Sequence, residues 1–164
     1  MSKAPVNLVP NSIESDWHQH PNGKGWVYKT AKVFDTAYIG PNAIVYGNAR
    51  VYGNAIVSGN VIVSGNAIVS GSATVSGNAR VYDNAKIQGS MLIYKSKINS
   101  TPLHIIGSKY PITVDGNYVN IGCESHTVKE WLKDGLKIAQ ENEFTKEEIK
   151  EYKKYLKFIL TFKK

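Results

Sequence analysis

The sequence predicts a mostly β protein built around a parallel solenoid, and three features of residues 31–96 predict it. A branched aliphatic residue recurs every six positions without a gap: Val33, Ile39, Val45, Val51, Val57, Val63, Val69, Val75, Val81, Ile87 and Ile93. Two positions before each stands Ala31, Ala37, Ala43, Ala49, Ala55, Val61, Ala67, Ala73, Ala79, Ala85 or Met91. Between hexads sit Gly-Asn pairs such as Gly47-Asn48, Gly53-Asn54 and Gly77-Asn78, residue types that accept the positive φ of a tight turn.

The first 30 residues come before the repeat and read as an irregular cap. They contain Pro5, Pro10 and Pro21, several turn residues, and the aromatics Trp17, Trp26 and Tyr28. A solenoid end needs such a cover, because an open edge strand invites pairing with another chain. The Ala-x-Val triplets of residues 31–96 are very short strands, whose alternation sends alanine and valine to one face and the central residue to the other. So short a strand buries little alone. Successive strands must turn at each Gly-Asn and stack on the strand one coil later, closing a tube filled by valine and alanine.

After Ser96 the period fails. Leu103–Ile106, Ile112–Val114 and Tyr118–Ile121 read as ordinary strands, with Asp115-Gly116-Asn117 as a hairpin turn. Thr127-x-x-Glu130 and Thr145-x-x-Glu148 are capping boxes that open two helices. In the second helix Ile149, Tyr152, Leu156, Ile159 and Leu160 follow helical spacing, and this stripe is expected to pack on the terminal coil or on a neighbouring subunit. The domain reading is therefore 1–30 cap, 31–96 repeat, and 97–164 strands plus two helices.

The run of hexads resembles the hexapeptide-repeat, left-handed parallel β-helix superfamily, in which three hexads make one triangular coil. The resemblance implies about four coils, left-handed winding and a homotrimer. The outward residues Ile44, Ile56, Ile62 and Ile68 suit that trimer, since a set of exposed isoleucines asks for a partner.

Composition narrows the partners. The net charge of +7 is spread along the chain without a basic tail, and the repeat holds only Lys32, Arg50, Arg80, Lys86 and Lys95 as cations. That is no duplex-binding stripe; it modestly favours small anions. No apolar run reaches the length of a membrane span and no signal-type N-terminus is visible. The single cysteine, Cys123, fits a reducing cytoplasm; behind Val119-Asn120-Ile121-Gly122 it reads as a packed core thiol, the alternative being a reactive thiol near a helix start with His126 as its base.

The repeat's outward rows carry the chemistry. Arg50-Val51-Tyr52 and Arg80-Val81-Tyr82 each place an arginine at a strand centre and a tyrosine beyond the buried valine. With three hexads per coil they occupy different faces of one tube, which a threefold trimer could bring together. Arg50 and Arg80 would then hold phosphates while Tyr46, Tyr52 and Tyr82 stack on bases. Arginine and tyrosine are also ordinary outward residues of such a tube, and both readings stand.

Acyl transfer from coenzyme A, which the superfamily resemblance raises, needs a base beside the acceptor. His18, His20, His104 and His126 all lie outside the repeat, so only a flank residue such as His18, His20 or His126 could supply it. No metal triad of histidines exists within the repeat, and no cofactor is expected. The flanks His20-Pro21-Asn22-Gly23-Lys24-Gly25-Trp26-Val27, Thr101-Pro102-Leu103-His104-Ile105-Ile106-Gly107 and Ile121–Leu132 resemble small bacteriophage and prophage hexapeptide-repeat proteins, to which no catalytic residues are assigned. That resemblance implies a non-enzymatic protein of the host bacterial cytoplasm that sequesters a small cyclic nucleotide immune signal. The alternatives are a coenzyme A acyltransferase and a structural trimeric spacer in a virion or surface assembly.

Overall fold

In the computed structural model, which describes residues 3–94 and 96–162, the chain forms two compact units divided between Pro102 and Leu103. Lys95, one of the five cations of the repeat, lies outside the described residues.

The first unit is the solenoid. Its strands are two or three residues long and form three parallel sheets. The first face contains β2 (Trp26–Tyr28), β5 (Ile44–Val45), β8 (Ile62–Val63), β11 (Arg80–Val81) and β14 (Lys97–Ile98). The second contains β3 (Lys32–Val33), β6 (Arg50–Val51), β9 (Ile68–Val69) and β12 (Lys86–Ile87). The third contains β4 (Tyr38–Ile39), β7 (Ile56–Val57), β10 (Thr74–Ser76) and β13 (Leu92–Tyr94).

Each strand pairs with the one three hexads later, as in Val45↔Val63 and Val51↔Val69, so the tube has about four coils. The inward alanines and valines from Ala37 to Val81 are fully buried in one continuous core, closed at the far end by Ile87, Met91, Ile93 and Ile98. Asparagines stack at the corners, with Asn60 Nδ2 donating to Asn78 Oδ1 at 3.1 Å. At one corner Asp83 replaces glycine and still takes a φ of 56°.

The tube extends beyond the legible repeat at both ends. Gly25-Trp26-Val27 is the strand triplet of one more hexad, with glycine at the alanine position because a Cβ on Gly25 would lie 2.3 Å from Ile39 Cγ2. At the other end Arg80 pairs with Lys97, a register one residue shorter than elsewhere, so the strand around Ile98 persists after the strict period stops. Strand β1 (Trp17–Gln19) pairs antiparallel with β2 and caps its edge. Trp17 is buried there, its ring 4.9 Å from that of Tyr28 and 6.4 Å from that of Tyr46.

The second unit is an antiparallel sheet with two helices. Strands β15 (Leu103–Ile106), β16 (Pro111–Asp115), β17 (Tyr118–Ile121) and β18 (Glu124–Thr127) pair in chain order. Thr127 and Glu130 form the expected capping box at the start of α1 (Val128–Glu141). At the start of α2 (Lys146–Phe162), Thr145 Oγ1 accepts from Glu148 N at 3.2 Å.

Two features of this unit differ from the sequence reading. Strand β18, which the sequence reading lacks, puts Cys123 in the tight turn after β17, exposed and not packed in the core. The stripe of α2 packs within its own unit: Tyr152, Leu156 and Ile159 are buried with Ile112, Val119 and Trp131. Leu160 is 40% exposed, so the buried stripe is narrower than the spacing suggests. Tyr152 also ties α2 to the β15–β16 connection, its hydroxyl accepting from Tyr110 N and donating to Tyr110 O, both at 2.5 Å.

Candidate functional site

The pleat of each short strand turns one central side chain outward, and coil stacking aligns these into columns. On the first face the column reads Trp26, Ile44, Ile62, Arg80, Lys97. On the second it reads Lys32, Arg50, Ile68, Lys86. The third face is uncharged at these positions: Tyr38, Ile56, Thr74, Leu92. Adjacent coils are spaced by about 4.8 Å, the separation of hydrogen-bonded strands.

The five candidate residues do not converge within one tube. Arg50 and Tyr52 lie on the second face; Tyr46, Arg80 and Tyr82 lie on the first. Arg50 and Arg80 are exposed, and neither guanidinium has a hydrogen bond or ion pair with a described residue. Tyr46 belongs to the aromatic cluster under the cap, beside Trp17, and is half-buried as Tyr82 is.

Sequence reading missed two neighbours of Arg50. Lys32 is its register partner one coil below, and Phe34 meets Tyr52 edge-on with ring centroids 6.1 Å apart. The second face thus presents two stacked cations beside two exposed aromatic rings. The eighteen-residue spacing, Lys32 to Arg50 and Phe34 to Tyr52, is the signal that would have found them.

The histidines are dispersed. His20 is buried in the cap, where Nδ1 lies 3.1 Å from Asn22 O, and Asn22 Nδ2 in turn donates to Ala37 O at 3.0 Å. His18 is exposed on β1. In the second unit His126 Nε2 lies 2.9 Å from Glu124 Oε2. His104 sits 3.2 Å from Thr113 Oγ1, and burial holds its pKa below the ordinary histidine value. Among the described residues no three His, Cys, Asp or Glu side chains come together as a metal would require. No helix of the described residues is long and apolar enough to cross a membrane.

The repeat matches the family model described as YdcK beta solenoid repeat over residues 43–59, 49–65 and 63–77. No curated protein and no solved structure matches the chain. With about four coils assembled in register from that repeat, the chain is a hexapeptide-repeat β-solenoid protein.

Proposed function

We propose that this protein is a non-enzymatic, trimeric binding protein that holds a small anionic, nucleotide-like ligand in clefts between neighbouring tubes. In this reading it is phage-encoded, works in the host bacterial cytoplasm, and sequesters a cyclic nucleotide immune signal. The observation that carries it is the pair of exposed arginines on adjacent faces, neither paired with a described residue and each with a tyrosine two residues on.

The isoleucines support the same assembly. Ile44 and Ile62 share the first face with Arg80, and Ile68 shares the second with Arg50. A threefold packing of first face on second would bury these three and leave Ile56, on the third face, outside. Arg50 of one tube would then face Arg80 of the next. The two strands are five hexads apart, so the guanidinium groups differ in height by about 8 Å along the tube. That offset suits two separate phosphates better than one bidentate clamp. The rings of Phe34, Tyr52 and Tyr82 flank the arginines and suit stacking on bases.

Native mass spectrometry of the chain with cyclic di- and trinucleotides tests the proposal. A trimer that takes up as many as three nucleotides, released unchanged on denaturation, is the expected result. Arg50→Ala with Arg80→Ala should abolish uptake and leave the trimer intact. A monomer, or unchanged affinity in the double variant, would refute the assignment.

A further inference from the structure

The second unit contains a cavity of about 520 Å³ between α1, α2 and the β17–β18 turn, within the ~300–1,000 Å³ typical of small-molecule sites. Its wall is apolar, from Ile121, Leu136, Ile138, Phe144, Ile149 and Leu156. Leu132 and Leu136, one helical turn apart, are 52% and 49% exposed at its mouth. A solvated polar molecule gains nothing from such a wall, whereas a hydrocarbon chain does.

The charges at the rim are one-sided. Lys133, Lys153 and Lys157 line the cavity, are exposed, and make no ion pair with a described carboxylate. Glu124, on the wall near Cys123, is already engaged by His126 at 2.9 Å. Lys153, Lys157 and Ile149 also line a second depression on α2, whose remaining walls are Lys146, Lys150 and Lys154. An apolar chamber therefore opens beside a trough walled almost wholly by ammonium groups.

We infer that this cavity binds a single-chain amphiphile with an anionic head, its hydrocarbon chain between α1 and α2 and its carboxylate or phosphate among Lys153, Lys157 and Lys133. The match is one of charge as well as shape: exposed lysines free of any described carboxylate stand beside the mouth of an apolar chamber. The site uses none of the solenoid residues, so it stands or falls separately from the nucleotide reading.

Cys123 is the sole cysteine and lies on the cavity wall, so it reports occupancy directly. Dodecanoate, below its micelle concentration and with the full chain, should bind once per chain and slow Cys123 alkylation at least tenfold. Shortening the chain should weaken binding by roughly fourfold per methylene. Dodecanol should bind at least tenfold more weakly than dodecanoate. Lys153→Gln with Lys157→Gln, both at exposed positions, should erase that preference without changing dodecanol affinity. Ala139→Phe, which fills the cavity, should abolish binding of both.

Four outcomes would overturn the inference. One is no dodecanoate uptake with Cys123 unprotected; another is equal affinity for dodecanol and dodecanoate. Flotation with phosphatidylglycerol vesicles without uptake of free dodecanoate would make the surface a bilayer contact. Concentration-dependent self-association that shields Cys123 without any ligand would make a second copy the occupant.

Discussion

Replacing Gly65 and Gly89 by alanine, one at a time, separates the two costs of a solenoid corner. Both glycines have nearly the same left-handed backbone, with φ of 64° and 63°. A Cβ in that conformation costs roughly 1–2 kcal/mol at either position. What differs is the coil above. At Gly65 the new carbon would lie 2.7 Å from Asp83 N and 3.1 Å from Asp83 Cα, whereas at Gly89 nothing lies within 4 Å. Backbone atoms cannot rotate away as a side chain can, so Gly65→Ala must also shift a rung of the tube, at about 1–3 kcal/mol for overpacking. Gly65→Ala should therefore be at least about 1 kcal/mol worse than Gly89→Ala. Urea titration read by hydrogen-exchange mass spectrometry on peptides within residues 43–90 confines the measurement to the tube. The cross-coil amides of Asn48 and Asn66, which donate to Gly65 O and Asp83 O at 2.8 and 2.7 Å, should lose protection first. Equal costs at the two glycines would refute the argument, because they would mean that coil stacking adds nothing at the corner.

In the second unit Tyr152→Phe removes a hydroxyl bonded to Tyr110 N, Tyr110 O and Lys109 N, and should cost about 2 kcal/mol in urea unfolding of that unit. A cost below about 0.5 kcal/mol would mean that water replaces the hydroxyl freely. Glu151 accepts from Ser108 N at 3.0 Å and from Tyr155 Oη at 2.8 Å, and these bonds, Ser108's first, hold its carboxyl below the usual range. Because the folded form binds its proton less readily than the unfolded chain, the stabilisation is complete above the ordinary glutamate value of about 4.3 and is lost as pH falls through the lower folded value. The stability gap between wild type and Glu151→Gln should thus be full at pH 6 and shrink steadily in acid. A gap independent of pH would refute it. Burial holds the His104 pKa down, so the stability this contributes is complete above the ordinary histidine value of about 6.5 and is lost as pH falls through the lower folded one. His104→Gln should flatten the slope of stability against pH below that point, and an unchanged slope would count against the assignment.

The tube was legible because its physics is one-dimensional. Each rung repeats the same small-x-branched triplet, and each corner repeats the same turn, so period alone locates β3 to β13. The ends were hidden where a neighbour overrides the pattern. Gly25 stands where alanine should, because Ile39 occupies the space a Cβ would need. The strand around Ile98 arrives one residue early, and a count by sixes passes over it. The second unit obeys no period. Its capping boxes were readable because Thr and Glu three apart satisfy local amides. The four residues of β18 carry no alternation strong enough to be seen, and their pairing with β17 turns Cys123 out into solvent. The cavity is equally invisible in sequence, since Leu132, Phe144 and Ile149 meet around it only through the packing of two helices. Of the proposed arginine site, the residues and the faces they occupy were readable, but the aromatic pair beside Arg50 needed the coil register.

Because the outward columns behave as rulers, the nucleotide reading makes a demand on height that mere charge does not. Arg50 and Ile68 occupy successive rungs of the second face. The exchange Arg50→Ile with Ile68→Arg keeps composition and net charge but raises the guanidinium by one coil, about 4.8 Å. Its height difference from Arg80 then falls from about 8 to about 3 Å. If the ligand bridges two phosphate sites across neighbouring tubes, this isomeric variant should lose at least tenfold in affinity by calorimetry, with the native mass unchanged. Moving the partner up as well, by Arg80→Lys with Lys97→Arg, keeps the net charge, restores the guanidinium spacing one rung higher and should recover most of the loss. A ligand held only by diffuse positive charge would not distinguish the three proteins. Equal affinity among them, in a protein that does bind nucleotide, would therefore remove Arg50 and Arg80 as paired contacts and leave only the net charge of the tube as the attraction.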